Sequence, residues 1–197
     1  PETSPEERFT LPGDRETVMS LAEESVVLLK NDEVLPLGQK PGKIALVGPM
    51  AKDLWGQIGS WGGHPLAEDI ITLHKAMTDE FGSDNVLYAK GCGFEGDDRS
   101  GFAEALSAAR RADVVVLCLG ELTKWSGENG IRSTLALPAI QEQLALELKK
   151  SGKPLVLLLN NGRPLELCRL EPLADAIVEL WQPGISGGKP AAGILSG

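Results

Sequence analysis

Two glutamates, a lysine, an arginine and a tryptophan share one stretch, Gly120-Glu121-Leu122-Thr123-Lys124-Trp125-Ser126-Gly127-Glu128-Asn129-Gly130-Ile131-Arg132. Carboxylates flanking a bond are how glycosides are cleaved, one acting as acid and one as nucleophile. Glu128 stands between Gly127 and Asn129-Gly130, so its backbone can bend to aim it. A tryptophan in the same stretch offers an apolar face on which a sugar ring can stack. The same composition also fits a solvated loop with an Arg–Glu surface pair, which is worth little energetically.

Three further segments carry chemistry-bearing residues. In Gly56-Gln57-Ile58-Gly59-Ser60-Trp61-Gly62-Gly63-His64-Pro65, glycines present Trp61 outward, and His64 is a polar contact or simply solvated. In Asn160-Asn161-Gly162-Arg163-Pro164-Leu165 a tight turn fixes an arginine, either for a ligand or for a neighbouring carboxylate. Gly91-Cys92-Gly93-Phe94-Glu95-Gly96 spells a G-x-G-x-x-G, with Glu121 at the end of the next strand. A dinucleotide fingerprint puts its third glycine inside the helix whose N-terminus holds a pyrophosphate. Here Asp97-Asp98 follow instead, two anions where a phosphate would sit, and the segment follows the second strand rather than the first. A turn-rich loop is the simpler reading. His74 falls on a predicted helix and is read as structural or exposed.

The elements that position these loops alternate. Short apolar runs at Ile44–Val47, Val86–Tyr88, Asp113–Leu119, Leu155–Leu159 and Ala176–Leu180 lack polar alternation, as strands buried on both faces do. Helical stretches are predicted at about 67–81, 101–111 and 138–150, the last opened by Pro138 with Ile140, Leu144 and Leu148 on one face. From Gly13, the spacing of Val18, Leu21, Ala22, Ser25, Leu28 and Leu29 predicts a helix broken by Asn31-Asp32. Strand–helix alternation predicts a doubly wound α/β sandwich of five or six mainly parallel strands with helices on both faces. Ligands of such sheets bind in the loops after the strands. Those loops, 48–66, 89–100, 120–137, 160–172 and 181–190, hold all four tryptophans. The 120–137 loop, rich in glycine and without apolar anchors, is expected to be displaceable.

Composition narrows the class. A chain of 197 residues that is 42% hydrophobic and 24% charged can bury a core, as one domain or two small ones. The net charge of −9 argues against nucleic acid and anionic membranes as partners. No apolar run nears the roughly 20 residues of a membrane helix. Residues 1–12 are polar and acidic and do not read as a signal peptide; they read as a linker or arm. Cys92, Cys118 and Cys168 lack metal or redox spacing, and Cys118 sits in an apolar run as a core residue. Neither a metal nor a cofactor is called for.

Taken in order, these segments resemble the second, α/β-sandwich domain of glycoside hydrolase family 3, in β-glucosidases of the bacterial periplasmic type. Ala22 to Asn31 with Leu35-Pro36-Leu37 is similar to the family's opening "S-x-V-L-L-K-N…L-P-L" segment. Ile44–Pro49 resembles its first strand, Gly59-Ser60-Trp61 its sugar-stacking loop, and Tyr88-Ala89-Lys90-Gly91 the next strand end. Gly120-Glu121 through Glu128, Arg132 and Leu137-Pro138 resembles its acid/base loop; Asn161–Leu165 and Pro183–Gly188 complete the series, which covers residues 13–197. The resemblance implies that Glu128 is the general acid/base, with Glu121 as competitor or orienting group. It implies that Arg132 holds a carboxylate or steadies the loop and that Trp61 stacks a sugar of a β-linked oligosaccharide or glycoside. The family's nucleophile is an aspartate of a preceding (β/α)8 barrel, and no Ser-Asp-Trp-like segment occurs here. The chain therefore reads as an excised domain, inactive by itself, from a periplasmic or secreted enzyme. A non-catalytic module binding carbohydrate or nucleotide on the same fold is the alternative.

Overall fold

The computed structural model describes residues 13–63, 65–128 and 130–197. The arm expected at residues 1–12 lies outside them. Six strands form one sheet among these residues: β1 (Val27–Asn31), β2 (Ile44–Val47), β3 (Val86–Ala89), β4 (Val114–Gly120), β5 (Leu155–Asn160) and β6 (Ala176–Glu179). Their spatial order is β1-β6-β5-β4-β2-β3, parallel throughout except for β1, which pairs antiparallel with β6. Five helices accompany them: α1 (Asp14–Ser25), α2 (Leu73–Phe81), α3 (Phe102–Arg111), α4 (Ala139–Lys149) and α5 (Gly188–Ser196).

The sheet divides two apolar layers. On one face Val115, Leu117, Leu157 and Ile177 pack under Ala105 and Ala109 of α3 and Ile140, Leu144 and Leu148 of α4. On the other, Leu46, Val116, Leu158 and Val178 pack under Leu73 and Met77 of α2 and Ala191 and Leu195 of α5. Every residue of β2, β4, β5 and β6 is buried. Strands covered on both faces have no solvent side on which to place polar residues, hence the unbroken apolar runs. Cys118 is in this core, fully buried.

Three boundaries differ from expectation. The first helix ends at Ser25, and Val27–Asn31 is an edge strand rather than a continuation of the helix. The pairing with β6 outweighs the helical spacing of Leu28 and Leu29, which lie exposed on the strand. Residues 67–69 form a separate 3-10 turn, and α2 begins at Leu73, where Thr72 Oγ1 accepts the Lys75 N–H at 3.2 Å. The segment 181–190, expected as a loop, already contains the first residues of α5.

The strand order sets the site. The chain passes from β2 through α2 to β3 over one face, then through α3 to β4 over the other. The winding therefore reverses between β2 and β4, which are neighbours in the sheet. A crevice opens at such a switch point, outside the carboxyl ends of the strands. The loops leaving those two ends carry Trp61 and Glu128.

Candidate active site

Glu121 follows directly on β4 and is buried, its side chain 1% exposed. Arg163, in the turn after β5, donates Nε–H to Oε2 at 3.0 Å and Nη2–H to Oε1 at 2.7 Å. Arg132 brings a second guanidinium: its Nε lies 3.4 Å from Oε1, close enough for an ion pair but without hydrogen-bond alignment. Both arginines also hold the returning end of the loop, Arg163 through the Thr134 carbonyl (2.6 Å) and Arg132 through that of Ala136 (3.2 Å). The Arg132 guanidinium lies over the Trp125 ring at 4.4 Å, a cation–π contact. Glu121 is thus the hub of the loop, with each of its oxygens held by an arginine hydrogen bond.

The 120–137 loop does have apolar anchors, contrary to expectation: Trp125 and Leu137 are both buried. With one face under Arg132, Trp125 serves the loop and is not open to a sugar. Trp61 differs. It is 74% exposed and borders an open cavity of about 460 Å³ together with Ser60, Thr123, Lys124, Ser126, Glu128 and Gly130. The two loops are tied together below that cavity, where Ser60 Oγ lies 2.9 Å from the Thr123 carbonyl oxygen and 2.7 Å from that of Ser126. Thr123 Oγ1 donates to the Trp55 carbonyl at 2.8 Å. Glu128 is exposed at the rim and forms no ion pair with a described residue. His64 lies outside the described residues.

The structure therefore brings Trp61 and Glu128 to one cavity, and Glu121, Arg132 and Arg163 together beneath the loop. Some supporting residues escaped the sequence reading. Gln141, fully buried on α4, exchanges two hydrogen bonds with the Gly120 backbone and donates a third to the Phe94 carbonyl. It thereby locks the end of β4 to the 89–100 loop. The only sequence signal is a glutamine beside Ile140 on the apolar face of a helix. Glu179 at the end of β6 is 4% exposed, and burial pushes its carboxyl up to about 7. Its signal is a charge inside the run Ala176–Leu180.

The glycine-rich 89–100 loop is arranged as a turn. The helix after it starts at Phe102, well past Gly96, and Asp98 Oδ1 accepts the Ser100 N–H at 2.9 Å just ahead of that start. His74 on α2 meets Tyr88 edge-on at 5.2 Å, and burial lowers its pKa. Among the described residues no three His, Cys, Asp or Glu side chains are grouped as metal ligands would be.

Comparison with known proteins places the fold in a family. Residues 26–197 match the model of the glycosyl hydrolase family 3 C-terminal domain. The periplasmic beta-glucosidase of Salmonella typhimurium is 39% identical over 205 aligned residues, 93% of this chain and 27% of that protein. A beta-xylosidase of Formosa agariphila is 34% identical, covering 93% of this chain and 26% of its own length. The crystal structure of a beta-glucosidase from Listeria innocua superposes with a TM-score of 0.89 at 36% identity, over 96% of this chain and 26% of that one. The chain thus spans about a quarter of the length of these relatives. With the family model matched over residues 26–197 and the fold superposing on a relative's, the chain belongs to glycosyl hydrolase family 3, as its C-terminal domain.

Proposed function

We propose that this domain supplies the acid/base group of a retaining β-glycosidase that releases terminal β-linked glucose, and that Glu128 is that group. The observation that carries the proposal is the division between the two carboxylates of one loop. Glu121 is buried and taken up by Arg163 and Arg132. Glu128 stands exposed on a cavity bordered by Trp61. A carboxyl group has to reach a substrate oxygen to exchange a proton with it, and the exposed one can.

In the proposed reaction Trp61 stacks a sugar at the mouth of the site. Glu128 protonates the departing glycosidic oxygen while a carboxylate from the rest of the longer protein attacks the anomeric carbon. Glu128 then takes a proton from the water that releases the sugar. A retaining pair stands roughly 5–5.5 Å apart, so the barrel bearing the nucleophile docks against the sheet edge that carries Trp61 and Glu128. This domain has the first role and not the second, so it hydrolyses no glycoside by itself. The names of the relatives favour glucosides, with xylosides as the near competitor, and a periplasmic or secreted location.

The test is Glu128→Gln in the protein carrying both domains. An amide cannot donate the proton, so turnover of a natural disaccharide falls by about 10²–10⁴-fold. Aryl glycosides with good leaving groups are partly spared in the first step, and azide rescues the second. Near-normal turnover by Glu128→Gln with a large loss in Glu121→Gln moves the role to Glu121. Robust hydrolysis by the 197-residue chain alone overturns the proposal.

A further inference from the structure

Glu179 closes a strand whose other residues are Ala176, Ile177 and Val178. Its carboxylate is fully engaged: Oε1 accepts the Trp181 N–H at 2.8 Å and Oε2 accepts an Asn161 Nδ2–H at 3.1 Å. Trp181 has φ 55°, a left-handed conformation that bulky residues avoid. Its carbonyl oxygen accepts from the Asn161 N–H at 3.2 Å and from Asn160 Nδ2 at 3.5 Å. The turn is therefore pinned on both sides, by Glu179 at the amide and by the asparagine pair at the carbonyl. The Oδ1 atoms of Asn160 and Asn161 are buried without partners. Both amides are oriented by what their NH2 groups donate to: Asn160 to the Trp181 carbonyl, and Asn161 to the Glu179 carboxylate and, at 2.9 Å, to the Arg163 carbonyl.

The turn aims the next residue at the site. Gln182 Nε2 donates to Ser126 Oγ at 3.3 Å. The Gln182 side chain occupies space that a Cβ on Gly59 or Gly162 would overlap. Ser126 lies two residues before Glu128, and Gly59 two residues before Trp61. We propose that Glu179 is a positioning residue: by fixing the Trp181 turn it places Gln182 between the Glu128 loop and the Trp61 loop and holds the two in register. The importance of that register rests on Glu128 and Trp61 having the roles given above. The test reads geometry rather than hydrolysis, so the two ideas fail separately.

Burial without a cation beside it gives Glu179 a proton equilibrium near neutrality, which makes the link measurable. The charges on its neighbours are engaged elsewhere. β5 carries none; β1 brings Lys30, paired with Asp32 and Glu171; the turn after β5 brings Arg163, paired with Glu121.

The experiment is an amide and indole NMR titration of the 197-residue chain through neutral pH, for the wild type, Glu179→Gln and Gln182→Ala. In the wild type, the Trp181 and Ser126 amides and the Trp61 indole follow one curve centred near 7. Glu179→Gln, the neutral isostere of the protonated acid, abolishes the curve and holds the Ser126 and Trp61 signals at the wild type's low-pH positions throughout. Gln182→Ala leaves the Trp181 amide titrating but uncouples Ser126 and Trp61 from it. A Glu179 that merely supports the fold lowers stability without this shared curve. The proposal is overturned if the Trp181 amide titrates while Ser126 and Trp61 stay still. It is overturned equally if Ser126 and Trp61 still follow the curve in Glu179→Gln. Should that variant not fold, the wild-type curve decides.

Discussion

The guanidinium of Arg163 grips both carboxylate oxygens of Glu121 at 2.7 and 3.0 Å, inside the protein and directly below the loop that carries Glu128. Such a fork fixes direction as well as charge. Without it Glu121 keeps only Arg132, whose Nε is not aligned with it. Arg163→Met is therefore expected to destabilise the chain by about 3–5 kcal/mol, the cost of a buried carboxylate losing its main partner. Arg163→Lys recovers little, since an ammonium has no fork. Urea denaturation checks both. In the same assay Glu128→Gln stays within about 0.5 kcal/mol of the wild type, as befits an exposed side chain.

Glu179 sets a pH dependence of stability. Burial raises its carboxyl from 4.5 to about 7 in the folded chain. Between those values the folded state holds a proton that the unfolded state has released. The contribution of this group is thus fully present below pH 4.5, is lost as pH rises, and is gone above about 7. Denaturation midpoints against pH should show this decline in the wild type and lack its share in Glu179→Gln.

Gly48 opens the loop that carries Trp61. Its φ of 121° disfavours any side chain, and a Cβ there would overlap the backbone oxygen of Cys118 on β4. Gly48→Ala is expected to cost more than about 1 kcal/mol. A lowered Tm, together with a changed Trp61 indole signal, would show that the strain reaches the loop.

The cysteines provide a check on the layers. Cys168 is exposed, whereas Cys92 and Cys118 are buried. Burial pushes the Cys92 thiol up to about 12 and that of Cys118 higher still. An aromatic disulfide reagent should titrate Cys168 in the native chain and reach the other two only in denaturant, because the thiolate is the reacting form.

Strands β2 to β6 were legible because burial on both faces leaves no polar alternation to confuse them. β1 was not, because Leu28 and Leu29 prolong the helical spacing of Leu21 and Ser25, and only the distant β6 makes that segment a strand. α5 was hidden by Gly187-Gly188-Lys189-Pro190, which reads as a loop locally yet packs Ala191, Ala192 and Leu195 into the core. Within the site, the loop carrying Glu121, Glu128 and Arg132 was visible from its composition. That Glu121 and Arg163 are partners was not, since 42 residues separate them. Both Trp125 and Trp61 were read as faces for a sugar, Trp61 with glycines that present it outward. The fold buries Trp125, with Arg132 over its ring, and leaves Trp61 open.

The antiparallel edge also bears on how the chain folds. β1 ends the sheet by pairing Val27 with Glu179, so one of the first segments of this chain finds its partner in one of the last strands. The parallel pairs between β2 and β6 can be added in turn as synthesis proceeds, but β1 has no ladder to join until β6 is made. Contacts so far apart along the chain carry a large loop-closure entropy and slow folding. Until they form, the backbone groups of Val27–Asn31 have no ladder partner, and an unpaired strand of this kind pairs with other chains. During biosynthesis, the interval before β6 emerges is when this domain is most exposed to misassociation.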